Sequence, residues 1–227
     1  MPDSSFERAA RKQGYTVIAG IDEVGRGPWA GPVYAAAVVL DTRRIAKSGL
    51  ADLDDSKKLS AEARARLALG IKEHCHFALG SADVNEIDRL NIFHATMLAM
   101  TRAIAALPVV PDYCLVDGNK LPKLSCAGQA IVEGDARSYS IAAASIVAKV
   151  TRDAIMSELA REFPGYGWER NKGYGTPEHR DGIDRLGVTA HHRRSWTPIF
   201  NRLNQLTLDL PYIESDESSK SLIPNNS

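Results

Sequence analysis

Four acidic residues stand where apolar runs give out. Asp22 and Glu23 follow TVIAGI and lead straight into Val24-Gly25-Arg26-Gly27-Pro28, Asp117 follows YCLV and precedes Gly118-Asn119, and Asp135 follows QAIVEG. A single Asp at the end of a strand is most often a turn former. Three such places in one chain carry more weight. If those strand ends are neighbours, four carboxylates converge, and their mutual repulsion raises some of their pKa values unless a cation offsets it. Oxygen-only donors suit one or two Mg²⁺ or Mn²⁺ ions and exclude a zinc or haem site. Such a site serves phosphoryl transfer, in which two cations activate the attacking water and stabilise the departing oxygen. One geometric condition attaches. Consecutive side chains of a regular strand point to opposite faces, so Asp22 and Glu23 reach one ion only if the chain bends or bulges at Glu23.

The elements that must position these acids are legible from periodicity and punctuation. Residues 16 to 22 and 32 to 40 read as buried strands, joined by a turn too short for a crossover helix and therefore antiparallel. Ser60 caps a helix through about Glu73, and residues 76 to 84 alternate as a third strand, so the sheet begins as a meander. Asn91 caps an apolar helix, IFHATMLAMTRAIAAL, that Pro108 and Pro111 end; YCLVDG and QAIVEGD follow as strands. Between Ser138 and Phe163 there is neither Gly nor Pro, and SYSIAAASIVAKV is small and apolar on nearly every face, which predicts a closely packed internal helix. Thr176-Pro177-Glu178 starts another helix and Gly187 stops it. The order predicts an α/β fold, an open mixed sheet with helices on its faces.

At 227 residues, 44% hydrophobic and 25% charged, the chain fits one domain with a substantial core. Lys plus Arg (28) equals Asp plus Glu (28), so a polyanion must be held by a local patch. Candidate phosphate contacts are Ser56-Lys57-Lys58, Lys120, Lys123, Lys149, Arg152, Lys172 and His191-His192-Arg193-Arg194, each of which alone is more often a solvated basic face. Tyr174, between Gly173 and Gly175, has no apolar neighbours to join and is free to stack on a sugar or base. The Gly25–Gly31 turn imitates a dinucleotide-binding loop, but Pro28 and Pro32 lead into a strand instead of a helix. Its bare amides suit close approach to a sugar or phosphate. His74 and His76 read as one face of a strand without a third ligand, and Asp153 as a salt-bridged helix position. Cys75, Cys114 and Cys126 form no CxxC pair, which predicts free thiols. With no apolar leader and no membrane span the expected location is the cytoplasm, and the Ser-, acid- and Pro-containing stretch from Pro211 is expected to be disordered.

IDEVGRGPWAGPV at 21 to 33, DSKKLS at 55 to 60, NIFHATMLAM at 91 to 100, VDGN at 116 to 119, GD at 134 to 135 and SIAAASIVAKVTRD at 140 to 153 closely resemble bacterial ribonuclease HII, of the type 2 ribonuclease H family. KGYGT at 172 to 176 and HHRRSW at 191 to 196 extend the likeness, which runs from about residue 15 to 200. The resemblance implies a ribonuclease H-like mixed five-stranded sheet flanked by helices, with a C-terminal helical extension. It divides the chain into an N-terminal extension (1–14), a catalytic domain with its helical part (15–210) and a tail (211–227). It implies a monomeric, Mn²⁺- or Mg²⁺-dependent endonuclease that cuts the RNA strand of RNA–DNA hybrids. It also implies cutting 5′ to a single ribonucleotide in duplex DNA, leaving 3′-hydroxyl and 5′-phosphate ends, and so a role in removing ribonucleotides from DNA. By motif, Asp22, Glu23, Asp117 and Asp135 are the catalytic, metal-binding carboxylates; Gly25, Arg26 and Gly27 sense the ribose 2′-hydroxyl; Tyr174 stacks at the RNA-to-DNA junction. Ser56, Lys57, Asn91 and Lys149 complete the substrate contacts, and Glu133 stands where some relatives carry Lys. Two other readings fit the same acids: a non-catalytic hybrid-binding module, and a nuclease of related fold acting on DNA junctions.

Overall fold

The computed structural model describes residues 1–42, 45 and 49–208, with residues 206–208 described by their backbone alone. The elements run α1 (Ser5–Lys12), β1 (Ile18–Val24), β2 (Val33–Val39), α2 (Ala61–His74), β3 (His76–Ala82), α3 (Val84–Ala105), β4 (Tyr113–Asp117), β5 (Ala127–Ile131), α4 (Tyr139–Glu162), α5 (Trp168–Asn171), α6 (Pro177–Leu186) and α7 (Thr197–Leu208). One five-stranded sheet has the order β3-β2-β1-β4-β5. The expected meander is present, with β2 antiparallel to both β1 and β3, while β4 lies parallel to β1 and β5.

β1 is buried along most of its length because a helix covers each face of the sheet. Ala95, Ala99 and Ala103 of α3 press on one face. On the other, α4 buries every residue from Ser140 to Ala148, as its composition requires. The approach is close enough to dictate a residue type: a Cβ at Gly20 would lie 2.1 Å from the Ser140 carbonyl carbon. Only glycine lets α4 ride directly on β1 there, and that contact fixes the depth of the helix beneath the strand that carries Asp22.

Ser60 and Thr176 cap α2 and α6 with their hydroxyls, as expected, and Gly187 ends α6; Ser138 caps α4 in the same way. Three expectations need correction. The helix assigned to begin after Asn91 starts at Val84, under a reciprocal Asp83–Glu86 capping box. Asn91 (φ 64°, ψ 164°) kinks it, and its Oδ1 still caps the second half by accepting from the Phe93 and His94 amides. The strand expected to end in Asp135 stops at Ile131: Glu133 turns left-handed (φ 54°) and Gly134–Ala136 form a 3-10 turn that feeds α4. His74 closes α2 while His76 opens β3, so the two do not share a strand face.

Beyond α4, residues of α5, α6 and α7 enclose a second, aromatic core in which Tyr166 stacks on the buried Trp168 at 4.9 Å. The N-terminal residues, outside the resemblance, are tied down: Glu7 is fully buried and accepts from Ser138 Oγ at 2.7 Å and Ser140 N at 2.9 Å. All three cysteines are free thiols. No helix among the described residues is long and apolar enough to cross a membrane, and the tail from Pro211 lies outside the described residues.

Candidate active site

The parallel pairing of β1 with β4 runs from Ile18↔Tyr113 to Ile21↔Val116 and stops there. The next residue on each strand is acidic: Asp22 and Asp117. One oxygen from each of Asp22, Glu23 and Asp117 lies within 4.8 Å of the others. The sequence requires a bend or bulge for Asp22 and Glu23 to meet, and the β1–β2 ladder contains no bulge. The β1–β2 ladder continues residue for residue through Asp22↔Ala36, Glu23↔Ala35 and Val24↔Tyr34. The two carboxylates meet instead over the carboxyl edge of the sheet, where β4 no longer covers β1. This is the usual position for a ligand of an open α/β sheet.

Asp135 reaches the same cleft from the 3-10 turn, not from a strand end. The turn is fastened by the Gly134 amide, which donates to Asp117 Oδ1 at 2.7 Å. A Cβ at Gly134 would stand 3.2 Å from that oxygen and 2.6 Å from Ile141 Cδ1, so the Gly-Asp pair has a packing reason. Asp135 lies outside the tight triplet, with Lys57 Nζ 3.7 Å from its Oδ2.

Burial holds the Asp22 carboxyl well above the ordinary carboxylate range, and the charges of Glu23 and Asp117 push it the same way. Glu23 is raised by burial, against the pull of Arg26, whose guanidinium lies 3.3 Å away. Asp135 is raised by burial and then by Asp55 and Asp117, with Lys57 opposing. A cluster of buried carboxylates that resist ionisation together, with only oxygen donors, is the electrostatic environment a hard divalent cation relieves.

The remaining candidates divide. Ser56, Lys57, Lys149 and Tyr174 line the cleft with the four acids. Ser56 is buried and hydrogen-bonded to Ser145 Oγ at 2.9 Å; Lys149 pairs with Asp153 at 2.9 Å, the salt bridge expected on that helix. Tyr174 is 46% exposed, and its ring edge would be 3.3 Å from a Cβ on Gly27, so the Gly25–Gly27 turn and the aromatic adjoin. Asn91 does not line this cleft, and its side chain is committed to the α3 kink. Several presumed phosphate contacts are internal struts. Arg152 is buried and donates to the carbonyls of Ala30, Pro32 and Lys172; His192 and Arg193 are buried; Lys172 Nζ is spent on Ser157 Oγ and the Glu169 carbonyl. A basic residue type does not reveal whether its donors face solvent or orphan carbonyls. Ser145 was missed, although a polar residue within an otherwise apolar helix face marks a side chain with a local partner.

The family model for Ribonuclease HII matches residues 19–199. The Ribonuclease HII of Rhodospirillum rubrum is 58% identical over 210 residues, covering 92% of this chain and 94% of that protein. That of Paracoccus denitrificans is 56% identical over 199 residues, covering 87% and 93%. Among solved structures, ribonuclease H2 from Pyrococcus horikoshii superposes with a TM-score of 0.73 at 23% identity, over 85% of this chain and 99% of its own. Bst-RNase HIII, solved in complex with Mn²⁺, superposes with a TM-score of 0.63 at 23% identity, over 87% and 72%. The acidic sheet edge, the mixed five-stranded order and these likenesses agree: the chain belongs to the ribonuclease HII family and is a ribonuclease H endonuclease.

Proposed function

We propose that this enzyme cuts the RNA strand of RNA–DNA hybrids, and cuts 5′ to single ribonucleotides embedded in duplex DNA, leaving 3′-hydroxyl and 5′-phosphate ends. The observation that carries the reading is the juxtaposition of the Asp22–Glu23–Asp117 triplet with the glycine turn at Gly25–Gly27 and an exposed ring at Tyr174. Asp22, Glu23 and Asp117, with Asp135 beside them, hold Mn²⁺ or Mg²⁺. A divalent cation in this position supplies Lewis-acid stabilisation of the charge developing on the scissile phosphate and lowers the pKa of water. Lys57, whose ammonium lies 3.7 Å from Asp135, and Lys149, held by Asp153, line the same cleft and steady the phosphate backbone. The backbone of Gly25, Arg26 and Gly27 meets the 2′-hydroxyl; against deoxyribose those groups stay unpaired, at about 1–3 kcal/mol for each one buried by the substrate. Tyr174 stacks at the junction that follows the ribonucleotide. The enzyme acts as a cytoplasmic monomer.

The test is a gel assay on a duplex with one ribonucleotide, run with Mn²⁺, with Mg²⁺ and with EDTA, for the wild type and Asp117→Asn. Cutting 5′ to the ribonucleotide that EDTA and the substitution both abolish is expected. Binding without cutting would leave a hybrid-binding module, and cutting of duplexes that contain no ribose would leave a DNA-junction nuclease.

A further inference from the structure

Two guanidinium groups, Arg152 and Arg193, are fully buried, and neither forms an ion pair among the described residues. Burying an unpaired charge is costly unless every donor is used. Burial pushes Arg193 down to about 9 and Arg152 to about 10, so both remain charged at neutral pH. Their donors go to backbone carbonyls, and those of Arg193 go to one turn. Nε and Nη2 donate to the Gly31 carbonyl at 3.0 and 2.9 Å, Nη1 donates to that of Arg26 at 2.8 Å, and Nη2 also donates to that of Gly25. The Arg193 amide adds a bond to the Trp29 carbonyl at 2.8 Å.

The consequence lies on the other side of the same peptides. No peptide bond in the described chain is cis. In a trans peptide the carbonyl and the next N–H point in opposite directions. Drawing the Gly25 carbonyl toward buried Arg193 therefore turns the Arg26 amide away from it, and drawing in the Arg26 carbonyl does the same to the Gly27 amide. Arg26 and Gly27 are exposed, and among the described residues neither amide has a hydrogen-bond acceptor. Two fixed, unpartnered donors thus stand on the outer surface of the turn, beside the Tyr174 ring and next to Glu23.

We propose that Arg193 is a positioning residue for ribose selectivity: without touching the substrate, it fixes the outward direction of the Arg26 and Gly27 amides that receive the 2′-hydroxyl. The proposal rests on the reading of that turn given above, and extends it to the residue that preorganises the turn. A guanidinium suits the task because its planar fork reaches three carbonyls at once, whereas an ammonium offers a single point of charge. A donor held in place before binding costs no ordering when the ribose arrives.

The experiment compares the wild type with Arg193→Lys. Binding is measured in EDTA, where no cutting occurs, on two duplexes of one sequence, with and without a single ribonucleotide. Wild-type protein is expected to prefer the ribonucleotide duplex. Arg193→Lys is expected to reduce that preference about tenfold, the worth of one or two ordered backbone donors, with affinity for the all-deoxy duplex unchanged. In wild-type protein the Arg26 and Gly27 amide resonances should shift with the ribonucleotide duplex and not with its all-deoxy counterpart, a readout that stands even if the variant does not fold. An unchanged preference in Arg193→Lys, an equal loss on both duplexes, or amide shifts that do not distinguish them would each overturn the proposal. Wild-type protein with no preference would instead overturn the reading of the turn, and this inference with it.

Discussion

The Gly134 amide and Asp117 Oδ1 are joined across 2.7 Å, so residues seventeen apart in sequence share one hydrogen bond at the centre of the acidic cleft. That bond sets where Asp135, the next residue, stands relative to β4. Gly134→Ala introduces a Cβ 3.2 Å from the Asp117 oxygen and 2.6 Å from Ile141 Cδ1. We expect a loss of about 1–3 kcal/mol from this overpacking, and a larger effect on cutting because Asp135 is displaced. Denaturant unfolding alongside a Mn²⁺ titration of cutting checks it. The variant should need more Mn²⁺ for half-maximal rate, and an unaltered requirement would show that the hydrogen bond does not place Asp135.

The raised pKa of Asp22 has a sign that can be measured. A carboxyl whose folded-state pKa lies above its unfolded value favours folding when protonated, and costs stability as pH rises from about 4 through the folded value. At neutral pH without a cation, the cluster therefore works against the fold. Asp22→Asn should melt higher than wild type in EDTA while losing all cutting. Mn²⁺ should raise the melting temperature of the wild type and have a much smaller effect on the variant. Melting curves at neutral pH with EDTA or Mn²⁺ decide this; an Asp22→Asn protein that melts lower in EDTA would contradict the repulsion.

Much of this site was legible because its acids follow apolar runs and its helices carry overt caps. Asp117 does end β4, Asp22 does lie near the end of the neighbouring β1, and Ser60 and Thr176 do cap. What was not legible depended on partners distant in sequence. The meeting of Asp22 and Glu23 follows from where β4 stops pairing, which no property of β1 reveals. Asp135 was placed on a strand because QAIV is apolar, but the left-handed Glu133 ends the strand direction before the acid is reached. Arg152 and Arg193 carry the residue type of a phosphate contact, and only tertiary structure shows that orphan carbonyls consume their donors.

Tyr174 contributes little to packing, being nearly half exposed. Tyr174→Ala should change stability by no more than about 0.5 kcal/mol. Losing one ring from a stacked junction is worth about 1–3 kcal/mol, so cutting at a single ribonucleotide should fall by roughly ten- to a hundredfold. The carboxylates are untouched, so the Mn²⁺ dependence should stay put. Kinetics on a single-ribonucleotide duplex and on a long hybrid separate the roles. Equal losses on both substrates, or a shifted metal requirement, would remove Tyr174 from the junction.

The loop that presents Tyr174 hangs from two buried histidines whose protonation states follow from their partners. Thr189 N donates to His192 Nδ1 at 3.0 Å, so that nitrogen is an acceptor and the His192 proton sits on Nε2. His192 Nε2 faces His179 Nε2 at 3.1 Å and Trp168 Nε1 donates to the same His179 nitrogen at 3.0 Å, which leaves the His179 proton on Nδ1, directed at the Tyr174 carbonyl 3.0 Å away. Both rings must be neutral for every bond to hold. Burial, with the neighbouring His179 adding to it, pushes His192 down from 6.5 to about 3, and burial lowers His179 as well. Because the folded pKa lies below the unfolded one, the unfolded chain takes up a proton that the native protein refuses. Stability is therefore complete above pH 6.5 and falls as the pH drops toward 3. Between neutral pH and about pH 5 the loss from His192 alone is about 2 kcal/mol. Urea unfolding at the two pH values measures it. His192→Gln should be less stable at neutral pH and show a pH slope flatter by about that amount, whereas an unchanged slope would mean that His192 is protonated in the native protein and the network is wired differently.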